Sequence, residues 1–258
     1  MPRVRHRDVV ATTPGPPSVG RDQQTGTTGE GTATMTLTIT LVRHGQTYLN
    51  ARRHLQGSCD SPLTRTGRAG VRVTAQHLAR HDFAAAYSSP QGRAVLTAME
   101  LLRHHPDLPL TVDHDLRELS FGSYERRPES HLDAIEPWAE LVPRMLAGAH
   151  PGVGGGEAGK DFMARVRAVF TRVVAAHDDA SRPGAVLDRH VLVVGHGLTL
   201  GAWLATLDPS GLVALPNASV STVEVTDGVP RVLAVGVDVA GHGHVAARPA
   251  PASAAVPA

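Results

Sequence analysis

The sequence predicts an α/β fold in which a mostly parallel sheet is covered by helices. Apolar, β-branched runs alternate with segments of helical period along most of the chain. Two of the strand-like runs break at once into glycine-containing turns, Arg43-His44-Gly45 and Gly195-His196-Gly197. Such breaks mark the carboxyl ends of strands, where open parallel sheets hold ligands. With 258 residues and 41% hydrophobic content, the chain can build one sizeable core with residues left over at its ends.

Residues 1–34 are rich in Pro, Gly, Thr and charge and have almost no large apolar side chains. They bury too little surface to offset ordering, so a disordered leader is expected. A second reading starts the protein at Met35. The folded domain is expected over 35–243, followed by a loose Ala/Pro-rich tail over 244–258. Thr36–Val42 is the first strand. Thr66–His81 has helical spacing through Val71, Ala75 and Leu78. Phe83–Tyr87 is a short apolar run, and Arg93–His104 reads as a helix ended by Pro106. Glu157–His177 is the clearest helix, with Phe162, Val166, Val169, Phe170, Val173 and Val174 on one side. Val191–Val194 is an apolar strand, Leu198–Leu207 the helix after it, and Thr222–Val225 and Arg231–Val237 are late strands around Asp227-Gly228.

Composition excludes several function classes. The net charge is +1, from 25 Lys+Arg and 24 Asp+Glu, which speaks against a nucleic-acid coat or a polybasic membrane anchor. No apolar run approaches the roughly 20 residues that span a bilayer, and no secretory signal is visible. Cys59 is the sole cysteine, so no internal disulfide or thiolate cluster can form, which suits the cytoplasm. Lys160 is the only lysine. Coding bias accounts for most of the arginines, and position must single out any that recognise an anion.

Phosphoryl transfer needs positive charge around three oxygens, a nucleophile in line and a proton for the leaving oxygen. A neutral imidazole can be that nucleophile without a metal. The chain has 15 histidines, and most are expected to be solvated or structural. His44 and His196 stand out because each follows an apolar strand and touches a glycine. Gly45 is expected to let the backbone approach a phosphate, with a helix starting there to direct N–H groups at it.

At these residues the chain resembles the histidine phosphatase superfamily, also called phosphoglycerate mutase-like. The resemblance runs in order through Leu41-Val42-Arg43-His44-Gly45-Gln46-Thr47 with Asn50, Leu55-Gln56-Gly57, Pro62-Leu63-Thr64 and Gly67. It continues through Ser88-Ser89-Pro90-Gln91-Gly92-Arg93-Ala94, Leu116-Arg117-Glu118, Phe121-Gly122 and Glu125. It ends with Gly155-Gly156-Glu157, Arg165, Val193-Val194-Gly195-His196-Gly197 and Asn217-Ala218-Ser219. Gln46 departs from the usual Glu or Ala, and Arg126 stands where a glycine is common. The resemblance implies a three-layer α/β/α sandwich and a metal-independent, cofactor-free phosphomonoesterase acting on a small-molecule phosphate ester. It implies that His44 becomes phosphohistidine, that Arg43, Arg93 and His196 clamp the phosphoryl oxygens, and that Glu118 protonates the leaving oxygen. Asn50, Gln56, Gly45, Thr47 and Gly197 would line the pocket. Without it, Glu118 would read as a surface carboxylate paired with Arg117. A mutase that returns the phosphoryl group to substrate and a non-catalytic phospho-ligand module are the alternatives. The acid segment Arg117-Glu118-Leu119-Ser120-Phe121-Gly122 favours the phosphatase, and the segment from Arg126 to Val153 is expected to cap the pocket.

Several look-alikes fail. Gly154–Asp161 approaches a P-loop but has Asp161 where Mg²⁺ needs a hydroxyl. Gly195-x-Gly197-x-x-x-Gly201 lacks the acidic residue a dinucleotide ribose would need. His77 and His81 lack a third ligand, Asp113-His114-Asp115 reads as a polar turn, and His242 and His244 have no defined site.

Overall fold

The computed structural model describes residues 36–177 and 188–241. The expected leader, Met35, the tail and His242 and His244 lie outside the described residues. Six strands form one sheet in the order β3-β2-β4-β1-β5-β6: β1 (Thr36–Arg43), β2 (Ala85–Ser88), β3 (Leu110–Val112), β4 (Asp188–Gly195), β5 (Val220–Thr226) and β6 (Val229–Val237). The pairs β1–β4, β2–β4 and β2–β3 are parallel, while β5 runs antiparallel to both β1 and β6. The sheet is thus mostly parallel, with a hairpin at one edge. The helices are α1 (Tyr48–Ala51), α2 (Arg65–Leu78), α3 (Gly92–Leu101), α4 (Glu129–Asp133), α5 (Trp138–Leu146), α6 (Gly159–His177) and α7 (Gly197–Leu207).

Strand pleating sorts the core into two layers. In β4, Leu192 and Val194 pack with Val71, Ala75 and Leu78 of α2 and Ala94, Ala98 and Leu101 of α3. The alternate residues Val191 and Val193 pack on the other face with Phe162, Val166 and Val169 of α6 and Leu200 and Leu204 of α7. Burial on both faces explains why Val191–Val194 of β4 is continuously apolar rather than alternating. Phe170 of α6 and Trp203 of α7 stack at 3.9 Å between ring centroids, fixing that helical layer.

The expected elements are present, with ends shifted by a few residues. Three further ones carry weak signals: β3 has three residues, α4 has five, and α5 has a proline at position 143. Together α4 and α5 form the segment expected to cap the pocket. The glycine run before α6 also finds its reason here. A Cβ on Gly156 would lie 2.2 Å from the Ser120 carbonyl oxygen, and one on Gly122 (φ +53) 2.2 Å from that of Gly154. The run is a close packing surface beneath the acid segment, which accounts for its resemblance to a phosphate loop.

Candidate active site

Arg43 and Gly195 are register partners at the ends of the adjacent parallel strands β1 and β4. The next residues, His44 and His196, therefore emerge side by side at the carboxyl edge of the sheet. Their ring centroids are 5.1 Å apart although 152 positions separate them in the chain. His44 is 3% exposed, and His196 and Arg93 are 0% and 1% exposed. His44 Nδ1 lies 2.8 Å from the Gly45 carbonyl oxygen. A carbonyl only accepts, so Nδ1 carries the hydrogen and Nε2 keeps its lone pair. His196 Nε2 lies 2.7 Å from Ser89 Oγ.

Arg93, from the first turn of α3, donates through Nη1 to the Cys59 carbonyl (2.8 Å) and Asp60 Oδ1 (3.2 Å). Its Nη2 donates to the Gly57 carbonyl (2.8 Å) and Gln91 Oε1 (3.2 Å). Arg43 Nη1 donates to the Leu215 carbonyl. Among the described residues, Arg43 Nε, Arg93 Nε and His196 Nδ1 are buried polar atoms without a hydrogen-bond partner. Buried groups of this kind are costly unless something satisfies them, and an oxyanion accepts from such donors.

Glu118 is not paired with Arg117, whose guanidinium instead meets Asp115 and Glu157. Its carboxylate sits at the start of α7: Oε2 accepts from Leu198 N (3.0 Å), while Oε1 accepts from Leu119 N (3.0 Å), Thr199 N (3.1 Å) and Thr199 Oγ1 (3.0 Å). A negative charge there also meets the positive end of the helix dipole.

Other expected pocket residues take more specific places. Thr47 is fully buried and caps α1, its hydroxyl 3.0 Å from Asn50 Oδ1 and 2.7 Å from the Gln56 amide. Asn50 Oδ1 is within 3.4 Å of Asn217 Nδ2, which also donates to the His44 carbonyl. A Cβ on Gly197 would lie 3.4 Å from Arg43 Nε, so this glycine abuts the guanidinium. Gly45 needs correction. No helix begins there; α1 starts at Tyr48 and has only four residues. The Gly45 N–H already donates to Thr97 Oγ1 (3.1 Å), and a Cβ would strike Val71 Cγ2 at 2.5 Å. This glycine lets β1 pass α2, and its carbonyl orients His44. Of the two departures, Gln46 accepts from Thr64 Oγ1 (2.9 Å), and Arg126 adopts the left-handed φ of +66 that glycine favours.

Ser89, Thr199 and Gln91 were not assigned roles from sequence. Gln91 donates to the Gly57 carbonyl (2.8 Å) and accepts from the Glu118 backbone N–H (2.9 Å), joining three parts of the site. Their only sequence signal is a polar residue one to three positions from a strand end or a named residue. The His77 and His81 rings are 6.2 Å apart, and the described residues include no group of three or more His, Cys, Asp or Glu able to hold a metal. Asp113 and Asp115 are both engaged by Arg172.

Burial first, and then the charges of Arg93 and Arg43, push the pKa of His44 well below its ordinary 6.5. Burial and then Arg93 do the same to His196, and burial and then His81 lower His190 to about 4. The His44 imidazole is therefore held in the neutral form at neutral pH. The unfolded chain takes up protons on its histidines as pH falls through about 6.5, while these three resist, so their contribution to stability is complete above 6.5 and is lost below it. For His190 the loss continues to about pH 4. The thermal midpoint is expected to fall steadily from about pH 6.5 downward, and His190→Asn to flatten that slope. A midpoint independent of pH over this range would contradict two buried and one half-buried neutral imidazole.

The arrangement offers a neutral imidazole lone pair, two buried guanidiniums, a second imidazole and a carboxyl group near the ends of β1 and β4, a set suited to transferring a phosphoryl group. Comparisons with known proteins agree. A Yersinia enterocolitica protein named "Probable phosphoglycerate mutase GpmB" is 34% identical over 173 residues, covering 66% of this chain and 74% of that one. The structure of phosphoglycerate mutase from Bacillus anthracis superposes with a TM-score of 0.69 at 29% identity, covering 81% of this chain and 96% of that one. Mycobacterial glucosyl-3-phosphoglycerate phosphatase gives a TM-score of 0.65 at 28% identity, covering 78% and 99%. A family model, histidine phosphatase superfamily (branch 1), matches residues 39–238, and the chain belongs to that superfamily with its phosphoglycerate mutase-like fold.

Proposed function

We propose that this protein is a metal-independent phosphomonoesterase that hydrolyses a small phosphorylated metabolite through a phosphohistidine at His44. The observation that carries the reading is the juxtaposition of His44 and His196, 5.1 Å apart, with Arg93 buried beside them. His44 Nε2 attacks phosphorus, the bond from phosphorus to the leaving oxygen breaks, and Glu118 gives that oxygen its proton. Water then attacks the phosphohistidine, the P–N bond breaks, Glu118 takes the water proton, and inorganic phosphate leaves. Arg43, Arg93 and His196 hold the phosphoryl oxygens throughout, and the two guanidiniums replace the charge a metal would otherwise supply. Asn50, Gln56, Thr47, Gly45 and Gly197 shape the pocket wall.

The relatives include proteins named as mutases and as phosphatases. Purified protein is to be tested in EDTA against a panel of phosphate monoesters, with 3-phosphoglycerate isomerisation as the control. Release of inorganic phosphate without isomerisation is the expected result. Isomerisation without net phosphate release would replace the phosphatase by a mutase, and complete loss in EDTA would point to a metal enzyme.

A further inference from the structure

We propose that Glu125 is a positioning residue for the phosphate clamp: it grips the Gly57–Asp60 loop from behind, so that the loop's carbonyls hold the Arg93 guanidinium against the two histidines. The inference rests on the reading of Arg93 as a phosphoryl clamp. Glu125 Oε1 accepts from Ser58 N (2.8 Å), Ser58 Oγ (2.6 Å), Ser120 Oγ (3.1 Å) and Phe121 N (3.2 Å), and Oε2 from Cys59 N (2.7 Å). No ion pair engages this carboxylate among the described residues; its charge is met by these N–H and O–H donors. Burial raises its pKa, but the hydrogen bonds from Ser58 and from the Ser58, Cys59 and Phe121 backbones outweigh that and hold it low, so the group is anionic at neutral pH.

The bonds have a direction. The peptide joining Gly57 to Ser58 gives its N–H to Glu125 and its C=O to Arg93 Nη2, both at 2.8 Å. An anion at the hydrogen end and a cation at the oxygen end polarise the same peptide, so each bond strengthens the other. Cys59 adds a second link through neighbouring peptides, its N–H on Glu125 and its C=O on Arg93 Nη1. Gly57 is shaped to this: at φ +49, a Cβ would lie 2.5 Å from Glu125 Oε1. The same carboxylate binds Ser120 and Phe121, two and three residues after Glu118, so one side chain sets the clamp loop relative to the acid segment.

Orthovanadate inhibition reads the oxyanion grip separately from folding. Glu125→Ala is expected to raise the vanadate Ki and the KM for an aryl phosphate at least about tenfold, and Glu125→Gln, which keeps the acceptor toward Ser58 but meets Cys59 N with a donor, to raise them less. Added to Arg93→Ala, Glu125→Ala should change Ki less than about twofold, because its effect runs through that guanidinium. A lowered thermal midpoint with unchanged Ki and KM would overturn the proposal while leaving the clamp reading intact. A full-sized effect in the Arg93→Ala background would overturn it too. If Arg93→Ala alone leaves Ki unchanged, the clamp reading and this proposal fall together. Should Glu125→Ala not fold, Glu125→Gln carries the same comparisons.

Discussion

Turnover of an aryl phosphate by His44→Ala is expected to fall by at least about 10⁴-fold, with the protein still folded. The other donors keep their places: Arg93 is held by the carbonyls of Gly57 and Cys59, and Glu118 by α7, so none depends on the imidazole. Removing the side chain leaves a small cavity and an unused bond to the Gly45 carbonyl, together about 1–2 kcal/mol of stability. On the proposed mechanism, catalysis loses the nitrogen that attacks phosphorus. Trapping gives a second measurement: acid-quenched wild-type protein should carry acid-labile phosphate after exposure to labelled substrate, and His44→Ala none. Retained activity or retained label would remove His44 as the nucleophile.

The parts of the site legible in the sequence are those tied to strand ends. His44 and His196 each follow an apolar run that needs no context to read as a strand, and parallel pairing of β1 with β4 brings them together. Arg93 and Glu118 were different. An arginine at a helix start and a carboxylate beside Arg117 are ordinary surface residues by composition, and only the ordered series of motifs lifted them above that. The structure adds what a linear pattern cannot carry, namely which groups hold the holders. Glu125 reaches back 67 positions to Ser58, and Thr199 reaches back 81 to Glu118. Neither contact has a period or a spacing rule behind it. The Gly45 expectation failed for a related reason. Glycine after a strand signals close approach, but the partner here is α2, with Gly67 and Val71 against it, and a helix that begins 20 residues downstream cannot be seen from the turn itself. Short elements such as β3 and α4 fell below the length at which periodicity is informative.

For Glu118→Gln the loss should depend on the leaving group. A general acid contributes little when the departing oxygen is already stable as an anion and typically 10²–10⁴-fold when it is an alkoxide, so p-nitrophenyl phosphate should be hydrolysed at close to the wild-type rate while alkyl phosphates lose about 10²-fold or more. The hydrogen bonds make Gln a fair probe. Oε1 is engaged by Leu119 N, Thr199 N and Thr199 Oγ1, and an amide oxygen can occupy that place unchanged. Among the described residues Oε2 receives one hydrogen bond, from Leu198 N, so on the proposed mechanism it is the oxygen that transfers the proton. The amide NH₂ would stand there, facing one backbone donor at a cost of about 1 kcal/mol, so the fold and the cap on α7 survive. Rates plotted against leaving-group pKa should be steep for the variant and shallow for the wild type. Parallel plots, with every substrate slowed equally, would mean that Glu118 serves as an anchor for α7 and that the proton comes from another group.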